Sequence, residues 1–204
     1  MYSRRPVEKL THGVACARWF CLTAGTGGLQ DPTPGCAQGE FHMKEAAYFV
    51  ERFQHLRRDD VPGRWTKATA YEAPHKPLLL ITVIDFYLDE PGRSNSIEPT
   101  ERLSHKFDKY WTRIFLARRK STVALPFFHL KTDGFWHLVP VDQTRAGEAR
   151  IDRSVSALQR AVRHATLDQD LHALLRDPAW ATHLRSVLVA GYFAPELHRH
   201  FVGG

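Results

Sequence analysis

The chain has 204 residues, 43% of them hydrophobic and 25% charged, with a formal charge of +6 that leaves its 12 histidines uncounted. That length suffices for one domain with a sizeable core, and the composition is globular rather than disordered. No apolar run approaches the roughly 20 residues a membrane-spanning helix needs, and the positive balance favours a polyanionic partner.

The first 42 residues stand apart. They hold all three cysteines (Cys16, Cys21 and Cys36) and six of the 13 glycines, with no sustained hydrophobic period. The cysteine spacing offers no second ligand pair and fits no zinc pattern. The cysteine-free remainder is simplest to place in a reducing cytoplasm. Gly25-Thr26-Gly27-Gly28 is not a dinucleotide fingerprint, since no strand precedes it and no helix follows. Met43 then opens a helical sequence with Ala46, Phe49, Phe53 and Leu56 on one face. Residues 1–42 are therefore expected to be a disordered or upstream extension, with Met43 the biological start. A poorly ordered natural N-terminus is the alternative.

A polar connector over 58–73 contains Pro62-Gly63, with Trp65 and Tyr71 as candidate anchors. The apolar run Leu78–Leu88 suits a buried strand or a buried helix. Its length, the proline at its start and the acidic exit Asp89-Glu90 favour helix, and Pro91-Gly92 stops it. Residues 73–80 read Ala-Pro-His-Lys-Pro-Leu-Leu-Leu, which places His75 and Lys76 before Pro77, a residue suited to a first helical turn. A basic pair is thus expected, exposed, at a helix mouth whose unpaired N–H groups already attract an anion.

A short strand at 95–98 precedes a helix opened by Pro99-Thr100-Glu101, with Leu103, Phe107, Tyr110 or Trp111, and Ile114 facing inward. This helix and its exit carry Arg102, Lys106, Lys109, Arg113, Arg118, Arg119 and Lys120 against only Glu101 and Asp108. Such a run is either a solvated face or, with aromatics interleaved, a nucleic-acid surface. Residues 125–138, Leu-Pro-Phe-Phe-His-Leu-Lys-Thr-Asp-Gly-Phe-Trp-His-Leu, are expected to form a hairpin turning at Asp133-Gly134. Three helical patterns follow: Val155, Leu158 and Val162; then Leu167, Leu171, Leu174 and Leu175; then Trp180, Leu184 and Leu188 after Pro178. The expected fold class is α+β, a mainly helical single domain over 43–204 with a small sheet built on one β-hairpin.

Catalytic motifs are not apparent. There is no Ser-His-Asp order, phosphate-binding loop or HExxH, and His198-Arg199-His200 is a metal candidate by composition only. No catalytic residue, metal ligand or cofactor is assigned, and the chain reads as a recognition module rather than an enzyme.

The strings at 73–80, 125–138 and 191–198 (Gly-Tyr-Phe-Ala-Pro-Glu-Leu-His) follow one another in the order and spacing of a known module. Over roughly 44–200 the chain resembles the sulfur-binding domain of HNH restriction endonucleases that recognise phosphorothioated DNA. The resemblance implies that His75 and Lys76 contact the DNA backbone near the modified linkage. It implies that Pro126 helps line a shallow apolar cavity for sulfur. That cavity is typically lined by a Tyr-Pro pair and a small residue three positions after the proline; here Leu125 and His129 stand at those positions. An imidazole at 129 narrows the cavity and offers a donor suited to phosphate oxygen, so ordinary DNA is expected to bind at least as well as its sulfur analogue. Lys131, Arg118, Arg119 and Lys120 complete the candidate DNA-binding set. The implied partner is double-stranded DNA, phosphorothioated in the full family reading; a homodimer is compatible with it. The HNH nuclease domain of such systems is not part of this sequence. The competing class is a protein-interaction or regulatory domain that keeps the fold without DNA binding.

Overall fold

The computed structural model describes residues 46–59, 61, 63–115, 121–142 and 154–202. The extension expected over 1–42, the start expected at Met43, and Arg118, Arg119 and Lys120 lie outside the described residues. Residues 46–54 form helix α1, and Ala46, Phe49, Phe53 and the following Leu56 are buried as their spacing predicts. Helix α2 (His75–Asp89) is the expected buried helix. Its apolar residues from Leu78 to Tyr87 are all enclosed, which is how a helix that is apolar all round avoids water. Helix α3 (Glu101–Phe115) packs against it, and Thr100 Oγ1 caps the α3 start by accepting the Leu103 amide at 3.2 Å. Trp65 is buried as an anchor, whereas Tyr71 is 63% exposed.

The segment expected to be a hairpin is mostly helical. Residues Ala124–His129 form α4, Leu130–Asp133 continue as a 3-10 turn, and Gly134, at φ 92°, ends that turn rather than reversing a strand. The reason is burial. Val123, Ala124, Phe127 and Leu130 recur at three- and four-residue steps and are at most 1% exposed, so a helical period lies among the aromatics.

Strand β1 (Trp136–Pro140) then pairs antiparallel with β2 (Val162–Leu167), Trp136 opposite Leu167 and Leu138 opposite Ala165. Ile97, in the expected short strand, adds a single bridge to Ala165. The α+β class with one small antiparallel sheet therefore holds, while its second strand comes from residues whose sequence suggested helix. Helix α5 (Val155–Ala161) stops before Val162, and Val162, Ala165 and Leu167 are buried from the strand instead. Helix α6 (Gln169–Leu175) and helix α7 (Pro178–Tyr192) complete the packing around α2. Asp177 accepts the Ala179 amide at 2.8 Å, directly before Pro178 in the first turn of α7.

Buried polar groups fix how these helices meet. Asp85 of α2 accepts from Arg185 Nε of α7 at 2.6 Å and from the Tyr110 hydroxyl of α3. Arg185 also donates to the Phe201 carbonyl at 2.7 Å. Desolvation, together with Asp85, pushes Tyr110 up to about 12, so its hydroxyl remains a donor. Tyr192 donates to the Phe53 carbonyl at 2.6 Å and accepts the Leu56 amide at 3.0 Å, locking α7 to the exit of α1.

One carboxylate joins three further segments. Asp133 accepts the Arg57 amide at 2.9 Å and the Lys76 ammonium at 2.6 Å. Lys76 also donates to Thr132 Oγ1 at 3.2 Å. The Lys76 and Asp133 side chains are 10% and 4% exposed. Lys76, expected exposed at a helix mouth, is instead an enclosed cation, because the turn before β1 supplies a carboxylate where solvent was anticipated. Removing one partner would leave the other charge buried alone. Asp133→Ala is expected to cost about 3–5 kcal/mol, and adding Lys76→Met should recover most of the loss, read by urea denaturation. A wild-type midpoint for Asp133→Ala would contradict this account.

A second expectation concerns pH. Burial, then Arg176, holds His172 below the usual histidine range, and its Nδ1 lies 2.9 Å from the Tyr87 hydroxyl. Desolvation pushes Tyr87 up to about 12, so the phenol donates and the neutral imidazole accepts. Because the folded pKa lies below the unfolded one, this contribution is complete above roughly pH 6.5 and is lost as pH falls. Stability curves measured from pH 8 to pH 5 should show a shallower acid loss for His172→Gln than for the wild type. Parallel curves would remove His172 from the acid response.

Candidate functional site

A cleft of about 770 Å³ opens where the exit of α1, the first turn of α2 and α4 converge. Arg57, Arg58, Asp59, Arg64 and Trp65 enter from the connector, and His75 and Lys76 from α2. Trp111 comes from α3, Ser121 and Thr122 precede α4, and Leu125, Pro126 and His129 line the cleft from α4. Five of the candidates read from sequence, His75, Lys76, Leu125, Pro126 and His129, are thus brought together. Lys131 is not among the lining residues. It is exposed, with Nζ 3.7 Å from the centre of the Phe128 ring.

The walls differ in character. The His75 ring packs against Trp111, with centroids 4.7 Å apart, and meets Trp65 edge-on at 5.2 Å. Pro126 is buried and Leu125 half-buried, forming an apolar seat on α4. Three of the cations face carboxylates: Arg58 with Glu72 at 2.6 Å, Arg64 with Asp59 at 3.0 Å, and Lys76 with Asp133. Arg57 is exposed and has no carboxylate partner among the described residues. Arg58 is held differently again. Its guanidinium lies 4.1 Å over the Tyr192 ring, and burial lowers its pKa against the opposing pull of Glu72.

His129 stands at the exposed edge of the cleft. Desolvation lowers its pKa, and the neighbouring cations Lys76 and Lys131 lower it further, so the imidazole is neutral at pH 7. Sequence reasoning missed the contribution of the connector, above all Arg57. The only signal was the pair Arg57-Arg58 at the edge of the polar connector, which the sequence reading did not single out. Trp111 was expected to face inward only as an alternative to Tyr110, and not as a wall of this cleft; both prove buried.

Elsewhere, His137 pairs with Asp168 at 2.6 Å, and His198 Nε2 lies 2.9 Å from the Phe193 carbonyl. Among the described residues no three His, Cys, Asp or Glu side chains group as metal ligands, and no helix is long and apolar enough to cross a membrane.

No curated protein matches the chain. The family described as ScoMcrA-like, DNA sulfur-binding domain, matches residues 47–203, a span that includes every residue lining the cleft. The match covers more than half of the sequence, and the chain belongs to the ScoMcrA-like DNA sulfur-binding domain family, a DNA-binding module.

Proposed function

We propose that the cleft seats one linkage of the DNA backbone and favours it phosphorothioated, making this domain the recognition module of a modification-dependent restriction system. The observation that carries the reading is the apolar pair Leu125 and Pro126 on the same cleft as the exposed cation Arg57. A non-bridging sulfur is larger and less well hydrated than oxygen, so an apolar wall favours it by desolvation. Arg57 supplies attraction for the linkage charge.

Two features favour sulfur over the oxygen preference that His129 suggests in the sequence. Lys76 is neutralised by Asp133, and desolvation with the neighbouring cations lowers the His129 pKa, so the ring offers a phosphate oxygen a neutral N–H rather than an ionic contact. Strand cleavage in such a system falls to an HNH nuclease domain working with this module.

Matched duplexes differing in one stereodefined linkage, titrated at one salt concentration, test the reading. Burying roughly 40 Å² of sulfur surface at about 25 cal/mol per Å² gives ~1 kcal/mol, or about fivefold tighter binding of the sulfur duplex. Arg57→Ala should weaken both duplexes by about tenfold or more, the scale of a lost charge-assisted hydrogen bond, and leave their ratio unchanged. Equal wild-type affinities would sink sulfur recognition. No DNA binding even at low salt would favour the protein-interaction alternative.

A further inference from the structure

The basic run on α3 is not absorbed by the cleft. Arg102, Lys106, Lys109 and Arg113 recur at steps of four, three and four residues and so share one flank of the helix, while Trp111, which lines the cleft, lies on another. This flank borders a separate groove of about 250 Å³ between α2 and α3, floored by Phe86 and Tyr110. Arg102 and Lys106 lie 4.9 and 5.0 Å from the Phe86 ring centre and are tied to Glu90 and Asp89, both at 2.8 Å.

The other two cations are placed differently. Lys109 is exposed and has no carboxylate partner among the described residues. Arg113, half-buried, has no carboxylate partner among the described residues and donates to the neutral His200 carbonyl at 3.4 Å. The groove is therefore rimmed by cations in excess of its carboxylates, with the two free positive charges one helical turn apart. From Arg102 to Arg113 the stripe runs about 16 Å along a rigid helix, the reach of a few successive phosphates on one strand.

We propose that this α2–α3 groove is a second phosphate-binding surface, through which the domain grips the DNA backbone away from the linkage held in the cleft. The inference rests on the reading of the cleft as the linkage site, and it assigns the two surfaces different work. The cleft discriminates, whereas the groove supplies affinity that is indifferent to sequence and modification. A regular row of cations on a helix suits the evenly spaced charges of a nucleic-acid backbone.

The test titrates wild type, Lys109→Gln and Lys109→Gln/Arg113→Gln against phosphorothioate and ordinary duplexes over a range of salt. Each lost phosphate contact should reduce the slope of log affinity against log salt by about 0.9, so the double variant should lose about 1.8. Both duplexes should weaken together, and their ratio should stay at the wild-type value. Lys109 is exposed, so the single variant keeps the fold, and melting curves verify the double one. An unchanged slope in both variants overturns the groove whatever the ratio. A wild-type ratio of one with the slope loss preserved supports the groove and removes sulfur recognition from the cleft.

Discussion

The enclosed Lys76–Asp133 pair is the constraint on which the site depends. Asp133 reaches the amide after α1, the ammonium in the first turn of α2 and, through its own backbone, the approach to β1. Those three segments contribute Arg57, Arg58, Asp59, His75, Lys76 and Thr132 to the cleft wall. A buried ion pair is poor evidence of net stability, because both charges lose their hydration. Its value lies in position: an unpaired charge at that depth is so costly that alternative placements of α4 against α2 are disfavoured.

The same pairing shapes the electrostatics of the cleft. Arg58, Arg64 and Lys76 look like an attractive field for DNA, yet each has a carboxylate beside it. They hold the walls in place more than they attract a ligand. Arg57 differs because only its backbone amide meets Asp133, which leaves the guanidinium at the surface. On the proposed reading, separating a nearly neutral apolar seat from a peripheral cation is what would let the site distinguish sulfur from oxygen without losing attraction for the linkage.

Helix α3 connects the cleft with the surface beyond it. Its inward residues Leu103, Phe107, Tyr110 and Trp111 are buried, and Tyr110 is fixed by the Asp85–Arg185 network. The cations on its outer flank consequently stand on a rigid support. On the proposed reading, affinity from phosphate contacts along α3 and selectivity from the apolar seat on α4 can be tuned separately, since the two sets of residues stand on different helices and α3 gives the cleft only Trp111.

Much of this was readable from the chain. The three- and four-residue spacing of Ala46, Phe49 and Phe53, the unbroken apolar run after Pro77 and the Asp177-Pro178 start each specify a helix through local physics alone. Three motifs in order, around His75, around Pro126 and at 191–198, carried the resemblance to the family that the match over 47–203 shows, and the first two meet in one cleft. The hairpin expected at 125–138 failed because Asp-Gly serves equally well to end a helical turn, and only the burial of Phe127 and Leu130 decides between them. Strand β2 was hidden for a similar reason: a short apolar pattern such as Val162 to Leu167 becomes a strand only when β1 is present to pair with it. Sequence alone therefore determined the helical core, the basic character and the family. Tertiary structure decided which charges are free, because whether Lys76 faces solvent or Asp133 depends on a partner 57 residues away, and no local pattern encodes that distance.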